Sequence, residues 1–270
     1  FALRLAIVAI ATIGLVGCGA TRTSGLCDKV DVAAAKPGDL KATEAAATAA
    51  WAKRGNVESV KEAIAHWRTA VGIAPGQADN YLKLSRALYF YGDGYLRLDE
   101  NEEAMSKALE EATYFAERAL QLSNPDFRRS VCVKRPFSES VKKLRKSDVP
   151  AAYWYATALG KYGLATNIVT VLDNKDRIFA IMQRIRKLNP GYFHGAADRY
   201  LGAYYTKIPF PKGDAKRSMK HFKKSLERAP KYLATHVLVA QMLAPKLKNK
   251  AKARAMAAKH LDFVLKAPVD

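Results

Sequence analysis

Acidic side chains, cysteines and long apolar runs are scarce in this chain, and each shortage argues against a class of protein or of binding site. Only 25 Asp and Glu stand against 45 Lys and Arg, for a net charge of +20. The three cysteines have neither CxxC spacing nor a nearby histidine, so we expect no metal site. The apolar run at the N-terminus covers residues 5–16, which is too short to span a bilayer comfortably as a helix. This run alone therefore does not predict a membrane-spanning helix.

Sequence patterns of catalysis are also missing. The chain contains no HExxH, no GxSxG and no Walker A loop, and its five histidines are scattered. An envelope hydrolase would need a compact nucleophile–base pair, which the sequence does not display. We therefore expect a protein that is not an enzyme and that carries no cofactor.

The N-terminus reads as an export signal that ends in a lipid attachment site. Arg4 provides a positive charge, residues 5–16 are apolar, and Leu15-Val16-Gly17-Cys18 has the form of a bacterial lipobox. We predict a signal peptide over residues 1–17, cleavage before Cys18, and acyl chains on the sulfur and the amine of Cys18. We also expect a few further residues before the first one given. An ordinary secretory signal or a short membrane anchor is the alternative.

The lipobox determines how the rest of the N-terminus and the charge are interpreted. Gly19 follows the cysteine where aspartate would indicate inner-membrane retention, so we predict an outer-membrane lipoprotein that faces the periplasm, with a tether over residues 18–40. The basic excess then fits anionic headgroups, an acidic partner or anionic solutes. It is densest in residues 126–150 and 246–254, where solvated helix faces are the alternative. Neither stretch interleaves aromatics with its charges, so nucleic acid is not an expected partner.

Two cysteines remain after lipidation. Cys27 and Cys132 form an even pair in an oxidising compartment, which predicts a disulfide between the region after the anchor and the basic stretch. Two buried free thiols are the alternative.

Residues 41–270 read as an all-α domain built from an irregular, tetratricopeptide-like helical repeat. The pattern is a small residue, a large apolar residue four later, a small one seven later and a helix-ending proline about twelve later, so that the first three share one helix face. The copies are Ala63/Trp67/Ala70/Pro75, Ala112/Ala116/Ala119/Pro125, Ile178/Met182/Ile185/Pro190, Ser218/Phe222/Ser225/Pro230 and Met256/His260/Phe263/Pro268.

The spacing between the copies is irregular, which predicts insertions. One follows Pro75 and includes a predicted turn at Gly92-Asp93-Gly94. The other follows Pro125 and carries Cys132. Insertions of this kind are where a plain solenoid would acquire a pocket or an interface.

Aromatic clusters are the main indication of a ligand. Rings on the first helix of each repeat would face the concave side of a solenoid, and Arg199 offers a cation for a carboxylate. Ordinary packing between helices is the alternative for most of these rings. The candidate binding residues are Tyr89, Tyr153, Trp154, Arg199, Tyr200, Tyr204 and Tyr205.

The stretch from Gly195 to Pro209, followed by Gly213-Asp214, resembles the T-component of tripartite ATP-independent periplasmic (TRAP) transporters. The matched positions are Arg199, Gly202, Tyr205, Pro209, Gly213 and Asp214. The resemblance implies a lipoprotein with cryptic tetratricopeptide repeats that encloses a pore or cavity and associates with the transporter's periplasmic solute-binding protein. Gly202 and Gly213 also have a structural interpretation, close helix approach and a turn.

Two functions from different classes follow. In the first, the chain is an accessory lipoprotein that docks the solute-binding protein and binds or passes a small organic or hydrophobic ligand. In the second, it is a scaffold that organises an envelope assembly and has no ligand. A cavity lined by aromatic side chains separates the two. Assembly of several copies of this chain stays open.

Overall fold

The computed structural model describes residues 22–28, 34–133, 135–208 and 213–268, and every regular element within these ranges is helical. The all-α prediction is confirmed. The α-helices are α1 (Leu40–Ala52), α2 (Val57–Ile73), α3 (Ala78–Phe90), α4 (Glu102–Ser123), α5 (Pro125–Val131), α6 (Phe137–Ser140), α7 (Val149–Thr166), α8 (Ile168–Leu188), α9 (Tyr192–Lys207), α10 (Ala215–Arg228), α11 (Leu233–Leu238) and α12 (Lys250–Leu265). The predicted signal peptide, Cys18 and Pro209 lie outside the described residues. Across the described ranges, no helix combines the length and the apolar character that crossing a membrane requires.

Most of the extensive helix contacts join helices that follow one another in the chain, and the contact of α4 with α7 spans the short helices α5 and α6. The most extensive contacts join α1 to α2, α3 to α4, α4 to α7, α7 to α8 and α9 to α10. Four of the five pattern prolines lie two residues beyond a helix end, because proline lacks the amide that would continue the helix. These ends are Ile73 of α2, Ser123 of α4, Leu188 of α8 and Arg228 of α10.

The residues that share one face in each repeat copy are buried where the pattern predicts. In the first four copies all twelve face positions are buried, from Ala63 at 0% exposure to Ile178 at 4%. The fifth copy differs, since Phe263 is 40% exposed and no residue of α12 is buried. The helical face therefore forms the core up to α10, whereas α12 lies on the surface.

Helix α7 is the centre of the domain. It packs against α3, α4 and α8, and nearly every residue from Val149 to Gly163 is buried. A helix that is apolar around its whole circumference needs neighbours on all sides, and the run Ala-Ala-Tyr-Trp-Tyr-Ala supplies that surface. Elements on opposite sides of α7 are thereby held around one shared core.

The first insertion differs from the predicted turn at Gly92–Gly94. The chain instead continues from α3 as a widened π-helical turn over Tyr91–Leu96. A Cβ at Gly92 would lie 3.2 Å from the side chain of Leu109, so glycine lets this turn approach α4 closely. The expected turn is not at these glycines, because Gly92 provides a close approach to α4 rather than a reversal and the helical turn continues through Gly94.

Residues 22–28, which we predicted to belong to the tether, are held against α4. The carboxylate of Glu117, itself 1% exposed, accepts hydrogen bonds from the Gly25 amide at 3.1 Å and the Ser24 hydroxyl at 3.0 Å, and it pairs with Arg22. The Gln121 side-chain amide donates to the Gly25 carbonyl oxygen at 2.8 Å. Both side chains on α4 are buried, and this segment provides their hydrogen-bonding partners.

Candidate functional site

A cavity lies between the tyrosine-bearing helices and has a volume of about 190 Å³. Five of the seven predicted ligand-binding residues line it: Tyr89 of α3, Tyr153 of α7, and Arg199, Tyr200 and Tyr204 of α9. Ile178 of α8 and Ala196 of α9 add apolar walls. This volume is below the roughly 300–1,000 Å³ of drug-sized sites, so the space suits a small molecule.

The hydroxyls of Tyr89, Tyr200 and Tyr204 around the cavity have raised pKa values and stay neutral. Burial raises the pKa of Tyr200 and, together with the Asp93 carboxylate, the pKa of Tyr89. Burial and then the Asp176 charge raise the pKa of Tyr204 to about 12. A Cβ at Gly160 would fall 2.2 Å from the Tyr200 hydroxyl, so glycine there makes room for that hydroxyl. The cavity therefore offers hydrogen-bond donors in apolar surroundings.

Thr157 of α7 is a buried polar group with no partner in the described chain. It lines the cavity, is 6% exposed, and its Oγ1 makes no hydrogen bond. A threonine inside a helix ordinarily donates to the carbonyl four residues earlier, as Thr113 does to Leu109 at 2.8 Å. An unsatisfied buried hydroxyl costs about 1–3 kcal/mol, which a polar ligand atom in the cavity would offset.

Three lysines also line the cavity. Lys161 pairs with Asp93 at 2.6 Å, and Asp93 in turn accepts from the Tyr89 hydroxyl at 3.1 Å. Lys175 donates to the Leu172 carbonyl and lies 3.7 Å from the Asp176 carboxylate, whereas Lys207 is exposed with no ion pair to any described residue. Aspartates therefore offset the charge of two of these lysines, and Lys207 adds a positive charge beside the cavity that favours an anionic or strongly polar ligand group.

Arg199 supports the backbone next to the cavity. Phe193, His194 and Gly195 adopt left-handed backbone angles, with φ of 44°, 60° and 68°. The Arg199 guanidinium donates to the His194 carbonyl at 2.9 Å and to the Phe193 carbonyl at 3.2 Å, and it lies 4.5 Å from the Tyr232 ring centroid. Two of its donors are thus used in holding a turn that non-glycine residues rarely adopt.

The remaining two predicted binding residues do not line the cavity. Trp154 packs behind Tyr153 and Tyr89, at centroid distances of 5.1 and 5.4 Å. Tyr205 stacks on His221 at 5.6 Å, between α9 and α10. Helical geometry separates Tyr205 from Tyr204 by 100°, so the two neighbours face different helices.

Other positions of the motif serve the contact between α9 and α10. A Cβ at Gly202 would lie 2.8 Å from the Phe222 ring, and the Gly202 carbonyl accepts the Ser218 hydroxyl at 2.7 Å. Asp214 caps α10 by accepting from the amides of Lys216 and Arg217. This agrees with close helix approach as the role of Gly202.

The thiols of Cys27 and Cys132 are neighbours, and both cysteines are free and exposed. Partial burial and a hydrogen bond with Cys132 raise the pKa of Cys27 to about 11. The Cys132 thiol also faces the Leu26 carbonyl oxygen at 3.8 Å. The disulfide stays a prediction, now with the two thiols side by side.

Sequence reasoning missed Thr157, Gly160 and the lysines. The signals were present, since Thr157 and Gly160 lie within the apolar run of α7, but nothing in the sequence indicates that Tyr200 of α9 packs across Gly160.

Comparison with known proteins gives one family. A family model described as the TRAP transporter T-component matches residues 90–270, from the last residue of α3 to the C-terminus. No curated protein matches the chain.

Proposed function

Because the chain belongs to the TRAP transporter T-component family, we propose that it is a periplasm-facing lipoprotein that docks the transporter's solute-binding protein and holds a small organic ligand in the tyrosine cavity. The family consists of transporter accessory subunits of the bacterial envelope. The lipid anchor at Cys18, the outer-membrane location and the tetratricopeptide-like solenoid belong to this proposal. The stacked helix pairs and the buried repeat faces support the solenoid.

The unpartnered hydroxyl of Thr157, a residue that lines the cavity, is the observation that carries the ligand role. A cavity used only for packing would lose nothing by valine there, and the helix would avoid an unsatisfied donor. Tyrosine hydroxyls and Lys207 around the same space add donors and positive charge. Together they favour a small molecule with an acceptor or anionic end and an apolar body.

Native mass spectrometry of the protein extracted gently from its own membrane tests the proposal. A co-purifying small-molecule mass, or a stoichiometric solute-binding protein, is the expected result. A bare protein, or one bound only to large envelope proteins, would favour the scaffold that organises an assembly without a ligand.

A pair of matched variants connects that result to the cavity. Thr157→Val removes the unpartnered hydroxyl at nearly constant volume, whereas Thr113→Val removes a hydroxyl that already has the Leu109 carbonyl. We expect Thr157→Val to lower ligand occupancy without loss of stability, and Thr113→Val to leave occupancy unchanged. Equal occupancy in both variants would show that the hydroxyl does not contact the ligand.

A further inference from the structure

A groove lies between α11 and α12 and has a volume of about 610 Å³, three times that of the tyrosine cavity. No residue that lines the tyrosine cavity also lines this groove, which we call the α11–α12 groove. Its lining includes Lys231, Leu233 and His236 on the side of α11, and Lys259, Phe263 and Lys266 on the side of α12.

The apolar side chains of the groove belong to a repeat face that is left uncovered. Phe263 holds the third position of the repeat pattern, which is at most 1% exposed in the first four copies, yet Phe263 is 40% exposed. Leu233 on the facing side is 37% exposed. The Phe263 ring is held in place, since it stacks on the His236 ring at a centroid distance of 4.1 Å. An ordered apolar surface inside a groove is a place that a partner's side chain would cover.

The surroundings of the groove are strongly positive. Residues 229–268 contain eight lysines and arginines and a single acid, Asp262. Asp262 pairs with Lys266 at 2.8 Å, whereas Lys231 and Lys259 are exposed and have no ion pair to any residue that the structure describes. Each side of the groove therefore presents an unneutralised cation, and the two together attract carboxylates.

Shape and charge together select the occupant. A flat layer of lipid headgroups meets exposed lysines but does not enter a groove, whereas a polypeptide segment does. A second copy of this surface would bring like charge against like charge, which opposes association. An acidic segment that carries one large apolar side chain matches both the cations and the uncovered apolar face.

We propose that the α11–α12 groove binds an acidic polypeptide segment of a partner protein. Its carboxylates lie at Lys231 and Lys259, and an apolar side chain of the segment packs against Phe263 and Leu233. The inference rests on the docking part of the proposed function, and it names the surface and the chemistry of the partner.

A synthetic peptide is the direct probe. Fluorescence anisotropy of labelled acetyl-Glu-Glu-Phe-Glu-Glu-amide measures its affinity for the full chain. We expect saturable binding, at least about tenfold weaker binding when glutamine replaces all four glutamates, and at least about threefold weaker binding when serine replaces the phenylalanine. Equal affinity for the three peptides, or no saturable binding, would overturn the proposal.

Charge-reversal variants locate the site. Lys259→Glu should weaken peptide binding about tenfold, because it replaces attraction by repulsion at the groove. Arg254→Glu is the matched control, since it changes the net charge equally at an exposed position of α12 about 140° around the helix from Lys259. Its effect should stay below about threefold, because salt screens the more distant charge. Equal losses in the two variants would show attraction to the net charge alone and overturn the groove.

Anionic vesicles test the other occupant. Vesicles of phosphatidylglycerol should bind wild type and Lys259→Glu with affinities within about threefold of each other, because headgroups meet the many other exposed cations. A tenfold loss of vesicle binding in Lys259→Glu, with no binding of the peptide, would assign the surface to lipid and overturn the proposal.

Native mass spectrometry of Lys259→Glu separates this inference from the proposed function. We expect the variant to lose a solute-binding protein that wild type retains. Retention at the wild-type level would overturn the groove and leave the docking role intact. A wild-type protein without this partner, together with normal peptide binding, would contradict the docking role and leave the groove intact.

Discussion

The Arg199 guanidinium lies 2.9 Å from the carbonyl oxygen of His194, five residues earlier in the chain, and donates a hydrogen bond to it across a left-handed turn. A second donor reaches the carbonyl oxygen of Phe193. The residue that we predicted as a carboxylate anchor is therefore used first to hold the backbone that places Phe193 over Arg86.

Replacing Arg199 should therefore destabilise the fold locally. Arg199→Ala leaves two carbonyls without their donors, so we expect a loss of about 1–3 kcal/mol in the free energy of unfolding. Urea unfolding followed by far-UV circular dichroism measures it, with Arg129→Ala as the control. Arg129 is exposed, and among the described residues it pairs only with Asp126, so its loss should stay within about 0.5 kcal/mol. Equal stabilities in the two variants would refute this role for Arg199.

The contact between α9 and α10 depends on the absence of a side chain at Gly202. Gly202→Ala places a methyl group 2.8 Å from the Phe222 ring, and such overpacking costs about 1–3 kcal/mol. Gly94→Ala is the matched control, because no atom lies within 4 Å of its added Cβ and the chain there is helical. The control should be neutral or gain up to about 1 kcal/mol. Thermal melts of both variants give the comparison, and a tolerated Gly202→Ala would show that the helices can separate freely.

Oxidation should stabilise the protein through Cys27 and Cys132. A disulfide that closes a loop of this length typically contributes about 2–4 kcal/mol, so wild type should melt higher when oxidised than when reduced. Cys132→Ser should abolish the difference.

The rate of that oxidation should rise steeply with pH. The raised pKa of Cys27, about 11, leaves little thiolate at neutral pH, and the thiolate is the reactive form. Thiol titration against time at several pH values measures the rate. Identical melting of wild type and Cys132→Ser with and without reductant would rule out the bond.

Acid should loosen α12 from α11. His260 and His236 face each other at 2.9 Å between their Nδ1 atoms, and burial, followed by the charges of His236 and Lys259, lowers the pKa of His260. A lowered pKa means that the unfolded chain binds the proton more readily, so stability is complete above about pH 6.5 and falls as the pH drops below that value.

Hydrogen exchange of the α12 amides at pH 7.5 and pH 5 tests this. We expect faster opening at pH 5 after correction for the intrinsic rate. His260→Gln cannot take up the proton and should lose the pH dependence while keeping a polar partner for His236. A variant with the same pH dependence as wild type would assign the effect to another group.

The sequence was most informative where one residue type has one physical consequence. Proline ends α2, α4, α8 and α10 as predicted, and small residues at the repeat positions lie in the core. The turn at residues 193–195 was not predicted, because Phe193 and His194 take angles that their own preferences oppose. Tertiary contacts, including those of Arg199, hold them there.

The grouping of Arg86 with the rings of Trp51, Trp154 and Phe193 was beyond sequence reasoning for a related cause. Its members come from four helices that are separated along the chain, and an arginine inside a helix ordinarily indicates a solvated face. The tyrosines were found because they cluster locally, and the structure then separated Tyr204 in the cavity from Tyr205 in the helix contact.

The docking of residues 22–28 onto Glu117 and Gln121 shortens the free tether between Cys18 and the helical domain. Free chain from Cys18 to Leu40 could reach roughly 75 Å, whereas the four residues from Cys18 to Arg22 reach at most about 14 Å. If Cys18 carries lipid as predicted, the helical domain would lie at the bilayer surface instead of extending into the periplasm on a long tether. A partner would then have to bind the domain at the membrane surface.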